Sequence, residues 1–310
     1  MLRLARIPSI ARLSALIAAA AFAIQPAAAQ SVLRDAETEA LLHDMAAPLI
    51  SAAGLDPHNV DIVLVNDSSV NAFVAGGQAV YVNSGLINMA DSAAEVQGVI
   101  AHELGHVTGG HAIGDGGSKA ASGISLLSLL LGAAAAAAGG GEAAMGVIMA
   151  GQQAALGKYL AFSRSQEASA DAAGMQYLSK AGISGRGSIG FFKKLANMEY
   201  RYGYTATEDS AFYSTHPVTG DRIATLQDSY EKDPAWTKPN DPVLEARFAR
   251  AKAKLFGYLG LPRDTFTTYP AYMTSIPARY ARAYAWHKDA HLDKAMAEAD
   301  ALLAQAPADP

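Results

Sequence analysis

The chain has 310 residues, of which 51% are hydrophobic, and such a chain can bury one good core and a small second domain. This composition excludes a disordered or fibrous protein. The formal net charge of −5 becomes −8 without the N-terminal arginines Arg3, Arg6 and Arg12, and this acidic balance disfavours nucleic-acid and anionic-lipid partners.

The first predicted element is a secretory signal over residues 1–29. Arginines precede an apolar stretch from Leu13 to Ile24, and Ala27-Ala28-Ala29 ends the segment as an A-x-A cleavage site. The stretch is much shorter than the roughly 20 residues that a spanning helix needs. Cleavage after Ala29 and export to a periplasm are therefore favoured over an uncleaved anchor.

An amphipathic helix and a small sheet are predicted next. Apolar residues recur at helical spacing between Ser31 and Ala53, which predicts one helix. The β-branched run over Asp61–Asn66 predicts a strand. Two further runs, Ala72–Ala75 and Gln78–Asn83, flank a pair of glycines and predict a hairpin.

The following helix carries the pattern H-E-x-x-H. It begins at a capping box formed by Ser92 and Glu95. His102 and His106 are four residues apart, so both imidazoles lie on one face and can bind one metal ion. Glu103 lies about 100° further around the helix, beside the metal, where it can take a proton from the attacking water.

Residues 124–150 form a strongly apolar segment. Gly139-Gly140-Gly141 divides it into two helical halves, and Glu142 is its only charge. Each half is too short to span a bilayer. A buried helical hairpin is the favoured interpretation, and peripheral contact with a membrane surface or a hydrophobic client is the alternative.

A catalytic zinc usually takes three protein ligands, so a third ligand is expected downstream. The chain has no cysteine, which leaves histidine and carboxylate as donors. Glu167 and Asp171 lie four residues apart on a helix predicted over Gln166–Lys180. Glu167 is predicted to bind the metal and Asp171 to accept the free N–H of a ligating imidazole. The small residues Ala168 and Ala170 indicate close packing around them.

A three-histidine site of the metzincin type is the alternative to Glu167. That pattern needs a glycine three residues after the second histidine and a third histidine three residues later. Gly109 fits this spacing, but His111 comes one residue too early. His111 is therefore interpreted as a helix-end or surface residue.

The last part of the chain is predicted to be helical. Pro234 and Pro239 mark a linker before Ala-rich helices over Pro242–Gly257 and Ala278–Ala306. Small residues in the second range have the spacing of one tetratricopeptide (TPR) unit, which predicts an incomplete array. The predicted domains are a signal peptide (1–29), a zinc metallopeptidase domain (30–241) and a TPR-like segment (242–310).

Several short segments accompany the zinc motif in a linked series. They are Asn71-Ala-Phe73, Tyr81-Val82-Asn83-Ser-Gly85-Leu86, Val99-Ile-Ala-His102-Glu-Leu-Gly-His106, Ser163-Arg164, and Thr215-His216-Pro217 with Arg222. Together they resemble the gluzincin metallopeptidases of the HtpX and CAAX prenyl protease family, and most closely its BepA-like periplasmic branch with a tetratricopeptide tail. The resemblance covers nearly the whole chain after residue 29.

The resemblance implies an α+β, mainly helical fold, in which a zincin-type domain with a small sheet precedes a TPR-like segment. It implies one Zn2+ per chain and peptidase activity with Glu103 as the catalytic base. It also assigns His216 to the active site, either as an extra ligand that gates the metal or as a group that steadies the oxyanion. Arg222 is then a supporting residue.

The resemblance further implies that Gln78–Val82 is an edge strand to which an extended substrate adds. Asn71, Val80, Tyr81 and Val82 are then the candidate substrate-binding residues. Unfolded or misassembled envelope proteins are the implied substrates, with the outer-membrane assembly machinery as a partner. A chaperone-like client-binding protein with repressed protease activity is the alternative function. An integral membrane protease is disfavoured, because no uninterrupted stretch of spanning length follows the signal.

Overall fold

The computed structural model describes residues 31–111, 116–137, 141–202 and 216–306. The predicted signal segment, residues 1–29, lies outside these ranges. The described residues form a mainly helical structure with one small sheet, which confirms the predicted α+β fold class. No helix among them is both long enough and apolar enough to cross a bilayer.

Most of the helices in the described ranges coincide with predicted ones, although α2, α7 and α9 were not expected from the sequence. The first helix begins at Ala36 and not at Ser31, because the Asp35 side chain accepts the Thr38 N–H and caps it there. The helices are α1 (Ala36–Ala52), α2 (Ser84–Met89), α3 (Ala93–Thr108), α4 (Gly116–Ala137), α5 (Gly141–Ala181), α6 (Arg186–Tyr202), α7 (Gly220–Glu231), α8 (Pro242–Leu259), α9 (Pro262–Thr268), α10 (Ile276–Lys288) and α11 (Leu292–Gln305).

Four strands form one sheet in the order β1-β2-β4-β3. They are β1 (Ser31–Val32), β2 (Asp61–Asn66), β3 (Ala72–Ala75) and β4 (Ala79–Asn83). The predicted hairpin of β3 and β4 is confirmed, and its turn uses the left-handed φ angles of Gly76 (64°) and Gly77 (98°).

The prediction that Gln78–Val82 forms an edge strand is wrong. β4 pairs in parallel with β2 on one side and antiparallel with β3 on the other, so it lies inside the sheet. β2 thus covers the side of β4 that was expected to be open. The outer side of β3 is the edge of the described sheet on this flank.

Helix α3 lies at the centre of the core. Every residue from Ala93 to His106 is buried, so the helix is surrounded on all sides. Ser92 caps it by accepting the Glu95 N–H, and the Glu95 carboxylate accepts the N–H of Asp91. Any polar side chain in the middle of α3 is therefore held inside the protein.

Small residues allow α3 and α5 to approach closely. A Cβ atom on Gly105 would lie 2.6 Å from the carbonyl oxygen of Ala170, and one on Gly174 would lie 3.0 Å from the backbone of Ala101. Ala170 is buried, as the predicted close packing requires, whereas Ala168 is exposed. This contact places the carboxylates of Glu167 and Asp171 against the face of α3 that carries the two histidines of the H-E-x-x-H pattern.

The predicted helical hairpin forms from α4 and the first half of α5, but it is not buried. The two helices pack on each other where Gly132 meets Ile148 and Gly151 meets Ser128. Their other faces carry large apolar side chains that are roughly half exposed, among them Leu126, Leu127, Leu129, Leu130, Leu131, Met145, Met149 and Leu156. The favoured prediction of a buried hairpin is therefore wrong, because α4 packs mainly against α5 and leaves its remaining faces open.

Helix α8 connects the C-terminal helices to the core. Its residues Phe248, Ala251 and Leu255 belong to the same buried cluster as α1 and α3. The Lys254 ammonium also pairs with the carboxylates of Asp35 and Glu37 at the start of α1. α10 packs against both α8 and α11. The domain division at residue 241 and the tetratricopeptide character of residues 242–310 stay predictions.

Candidate metal centre

Four buried side chains converge at the middle of α3. His102 and His106 come from α3, Glu167 comes from α5, and His216 comes from the segment before α7. Each side chain offers one donor atom, and these four atoms all lie within 4.8 Å of one another. The first three are the metal ligands predicted from the sequence, and His216 is the residue that only the resemblance assigned to the site.

The donor atoms have the spacing of ligands around one metal ion. The Nε2 atoms of His102 and His106 are 3.1 Å apart, and the Glu167 oxygens lie 3.4 Å and 3.3 Å from them. Two ligands about 2.0–2.1 Å from a zinc ion at the tetrahedral angle are about 3.3–3.4 Å apart. The three side chains therefore fit a metal ion without rearrangement.

Asp171 and Arg222 fix the orientation of the His102 ring. The Asp171 carboxylate lies 2.9 Å from Nδ1 of His102 and receives two 2.8 Å hydrogen bonds from the Arg222 guanidinium. Because a carboxylate only accepts, Nδ1 carries the proton and the lone pair of Nε2 faces the other ligands. The structure thus places Asp171 where the sequence predicts it.

The charges in the cluster are strongly coupled. Burial would raise the pKa of Glu167, but hydrogen bonds from His102 and His106 hold this pKa well below its usual range. Burial lowers the pKa of His102, yet hydrogen bonds to Asp171 and Glu167 raise it to about 10. The carboxylates therefore draw a proton onto His102, and a bound cation would replace that proton.

Glu103 lies beside the four donors with no hydrogen bond to either carboxylate oxygen from the described residues. The Nε2 atom of His216 lies 3.6 Å from the Oε1 atom of Glu103. Burial raises the pKa of Glu103, although His216 and His102 lower it in part. A fully buried carboxylate without partners is costly for a fold, so this arrangement indicates a chemical use such as proton transfer.

The ring of His216 bridges Glu167 and Glu103. Its Nδ1 atom lies 3.1 Å and 3.2 Å from the two oxygens of Glu167, and its Nε2 atom points toward Glu103. Arg222 donates to the carbonyl of Pro217 and so fastens this segment to the same guanidinium that holds Asp171. Thr215, which belongs to the same sequence motif, lies outside the described residues.

The structure confirms His111 as a helix-end residue, and it also shows a contact with the site that the sequence did not predict. His111 does follow the end of α3, but its Nδ1 atom lies 2.8 Å from Nδ1 of His106. The metzincin spacing tests only direct metal binding, so it misses this contact. Two glycines directly before His111 are the signal in the sequence, because they allow the chain to turn back toward the helix.

The four candidate substrate-binding residues are not part of the metal cluster. Val80 and Val82 have side chains that are 0% exposed, and their backbones pair with β2 and β3. Tyr81 lies on the opposite face of the sheet and stacks on Phe73, with ring centroids 5.0 Å apart. Asn71 is buried just before β3.

Comparisons with known proteins agree with this site. A family model described as Peptidase family M48 matches residues 33–230. The chain is 33% identical over 180 residues to metalloprotease LoiP of Escherichia coli strain K12, which covers 57% of this chain and 64% of that protein. It is 25% identical over 256 residues to the beta-barrel assembly-enhancing protease of Yersinia pestis, which covers 79% of this chain and 50% of that protein. The chain therefore spans about half the length of that relative.

Proposed function

The chain belongs to peptidase family M48, and on that premise we propose that it is a zinc metalloendopeptidase of the gluzincin type. His102, His106 and Glu167 hold one Zn2+ per chain, and Glu103 is the catalytic base. The observation that carries this proposal is the buried set of three donors at tetrahedral separations, beside a carboxylate that has no hydrogen-bond partner among the described residues. Two histidines and one carboxylate are a common ligand set of catalytic zinc.

When held by these residues, zinc would supply Lewis acidity for the scissile carbonyl and the attacking water. Glu103 takes the proton of that water and delivers it to the leaving amine. Its burial favours this role, because a raised pKa brings a carboxylate closer to the working pH. Asp171 and Arg222 keep the His102 ring in the orientation that presents Nε2.

We assign a gating role to His216. A catalytic zinc keeps one position open for water, and the Nδ1 atom of His216 lies close enough to the other donors to take that position. While His216 stays there, four protein donors would hold the metal ion and would leave no position for water. His216 must then move out of the donor set before a peptide bond is cleaved.

We propose that an extended substrate adds to the outer side of β3. The N–H of Asn83 donates to the carbonyl of Asn71, so these two residues form a hydrogen-bonded pair of the antiparallel ladder. Hydrogen-bonded and non-hydrogen-bonded pairs alternate along this ladder. The backbone N–H and C=O of Phe73 therefore point toward β4, and those of Ala72 and Val74 point away from it. β3 packs against α3, which carries His102 and His106. The outward groups of β3 can bind a peptide backbone with little dependence on its side chains.

The proposed substrates are unfolded or misassembled envelope proteins, cleaved in the periplasm after export through residues 1–29. The name of the beta-barrel assembly-enhancing relative supports this, and it makes the outer-membrane assembly machinery a candidate partner. We also propose that residues 124–150 touch a membrane surface, since the hairpin exposes its leucines. No nucleic-acid partner is proposed, because the chain is acidic.

A second candidate function is a chaperone-like client-binding protein whose protease activity is latent. Two observations favour it: His216 lies inside the donor set, and an apolar hairpin lies open on the surface. In this function the apolar hairpin and the C-terminal helices hold clients, whereas in the first function the metal site cuts them. The experiment that follows separates them.

The test compares Glu103→Gln with the unchanged protein. The variant is expected to bind near-stoichiometric zinc and to lose casein cleavage by about 100-fold or more, because the amide cannot accept the proton. Metal analysis and a degradation time course give the two values, with the exposed Glu231→Gln as a control that keeps both. Full activity in Glu103→Gln would overturn the mechanism. Zinc binding without cleavage by the unchanged protein would favour the chaperone-like function.

A further inference from the structure

The end of α3 folds back onto its own last turn. The N–H of His111 donates to the carbonyl of His106 (3.0 Å), and that of Gly110 donates to the carbonyl of Val107 (3.1 Å). With Gly110 in the left-handed region at φ 65°, these bonds form a Schellman motif. This motif brings the residue after the glycine against the residue one turn earlier, and here both are histidines.

Gly109 leaves the space that the His111 ring occupies. A Cβ atom at this position would lie 2.5 Å from Nε2 and 2.7 Å from Cε1 of His111. Any other residue at position 109 would therefore displace the ring. Gly110 therefore allows the left-handed backbone turn, and Gly109 leaves space for the imidazole of His111.

One direction of the hydrogen bonds around His111 leaves the lone pair of His106 Nε2 free for a metal ion. The Ser169 hydroxyl donates its single hydrogen to the carbonyl of Gln166 (2.9 Å), so its oxygen is an acceptor for Nε2–H of His111 (3.2 Å). Nδ1 of His111 then has a lone pair and accepts the Nδ1–H of His106 at 2.8 Å. The remaining nitrogen of His106, Nε2, presents its lone pair to the metal site.

We propose that His111 is a positioning residue for the metal ligand His106. It holds the proton of His106 on Nδ1 and fixes the ring plane, as Asp171 does for His102. The two ligands therefore have unequal partners, since His102 donates to a carboxylate and His106 donates to a neutral imidazole. This inference rests on the proposed metal-binding function and adds a residue to it.

The test uses a matched pair of substitutions at position 111. In His111→Asn the side-chain oxygen can take the place of Nδ1 as acceptor, whereas His111→Leu has a similar size and no acceptor. Competition with a chelator is expected to show zinc affinity about 10- to 100-fold weaker for the leucine variant and within about threefold of the unchanged protein for the asparagine variant.

A second measurement reads the hydrogen bond itself. In protein labelled with 15N-histidine, the imidazole N–H signals protected from exchange should include Nδ1–H of His102 and of His106. The signal of His106, identified by its loss in His106→Gln, should persist in His111→Asn and disappear in His111→Leu. Equal thermal unfolding temperatures of the two position-111 variants would exclude a general loss of structure.

Two results would overturn the role of His111. One is a leucine variant that keeps both the zinc affinity and the protected His106 signal. The other is an asparagine variant that loses both, since an acceptor at this place would then not suffice. Absence of zinc binding in the unchanged protein would instead overturn the proposed function, and the His106 signal of the metal-free protein would still decide the role of His111.

Discussion

Glu167 is the residue on which the charges of the site converge. Nitrogen atoms of His102, His106 and His216 lie within 3.4 Å of its carboxylate oxygens, and Nη1 of Arg222 is 3.1 Å away. These donors stabilise the ionised form despite its burial. Without the carboxylate, three imidazoles and a guanidinium would face one another inside the core.

The prediction for Glu167→Ala is that zinc affinity falls by more than about 100-fold, because one of three protein ligands and the only acidic one is removed. Glu167→Gln keeps the size of the side chain, so its zinc affinity should lie between those of Glu167→Ala and the unchanged protein. Chelator competition measures the affinities, with Glu103→Gln as the control that keeps zinc. If Glu167→Ala bound zinc as tightly as the unchanged protein, the third-ligand role would pass to His216.

The prediction for His216→Ala is faster cleavage at equal zinc occupancy, because water regains the position that the imidazole takes. Degradation time courses of the two proteins give the rates, and Glu103→Gln measures contaminating protease. A slower variant, by about 100-fold or more, would contradict gating and assign His216 to stabilisation of the transition state. An unaltered rate would exclude both roles.

Residues with local spacing could be predicted from the sequence, and residues that meet through loops could not. His102 and His106 share a helix face, and Glu167 with Asp171 repeats the spacing on a second helix. The contact of His111 depends on how α3 ends, which a ligand-spacing rule does not describe. A lone histidine before proline, such as His216, has no local pattern and was found through the family resemblance.

At the scale of the elements, the outer side of β3, the last strand of the described sheet, yields a prediction about substrate binding. The N–H of Val74 points away from β4, so Val74→Pro removes a donor for an added strand without removing a bond of the hairpin. Cleavage of an unfolded substrate should show a KM raised by about fivefold or more. Zinc content should not change. Steady-state kinetics and metal analysis check the two parts.

Two control substitutions separate the backbone from the side chain. Val74→Ala shortens the side chain and keeps the N–H, so it should keep the KM of the unchanged protein. Phe73→Pro removes a donor directed at β4 and should lower the unfolding temperature instead. Equal KM values for Val74→Pro and Val74→Ala would show that substrate is not held on this edge.

The strand order explains why the sequence predicted the wrong edge. Alternation and glycine turns are local signals, and they correctly give a hairpin of β3 and β4. The parallel pairing of β2 with β4 joins segments that are not adjacent in the chain, and no local pattern encodes it. The same limit applies to the apolar hairpin, since composition predicts burial but does not state which partner provides it.

At the scale of the whole molecule, the distribution of apolar surface is uneven. Residues 124–150 contain one charge, Glu142, and most of their leucines and methionines are exposed. The rest of the chain is acidic, which opposes binding to anionic lipids. Binding of the hairpin to a membrane should therefore depend on buried apolar area and not on charge.

The last prediction is that the protein floats with neutral phosphatidylcholine vesicles at both low and high salt, because apolar insertion is not screened by ions. Leu126→Ser with Leu130→Ser should reduce vesicle binding by about 10- to 100-fold, since each leucine contributes apolar surface. Leu292→Ser with Met296→Ser is the matched control, because these four residues are 59–61% exposed and the control pair lies on α11. Light scattering of each protein without vesicles tests whether a second copy of the chain, and not a membrane, covers this surface. An unchanged protein that stays unbound and dimerises, and becomes monomeric in the hairpin variant, would show that the hairpin binds a second copy and not a membrane.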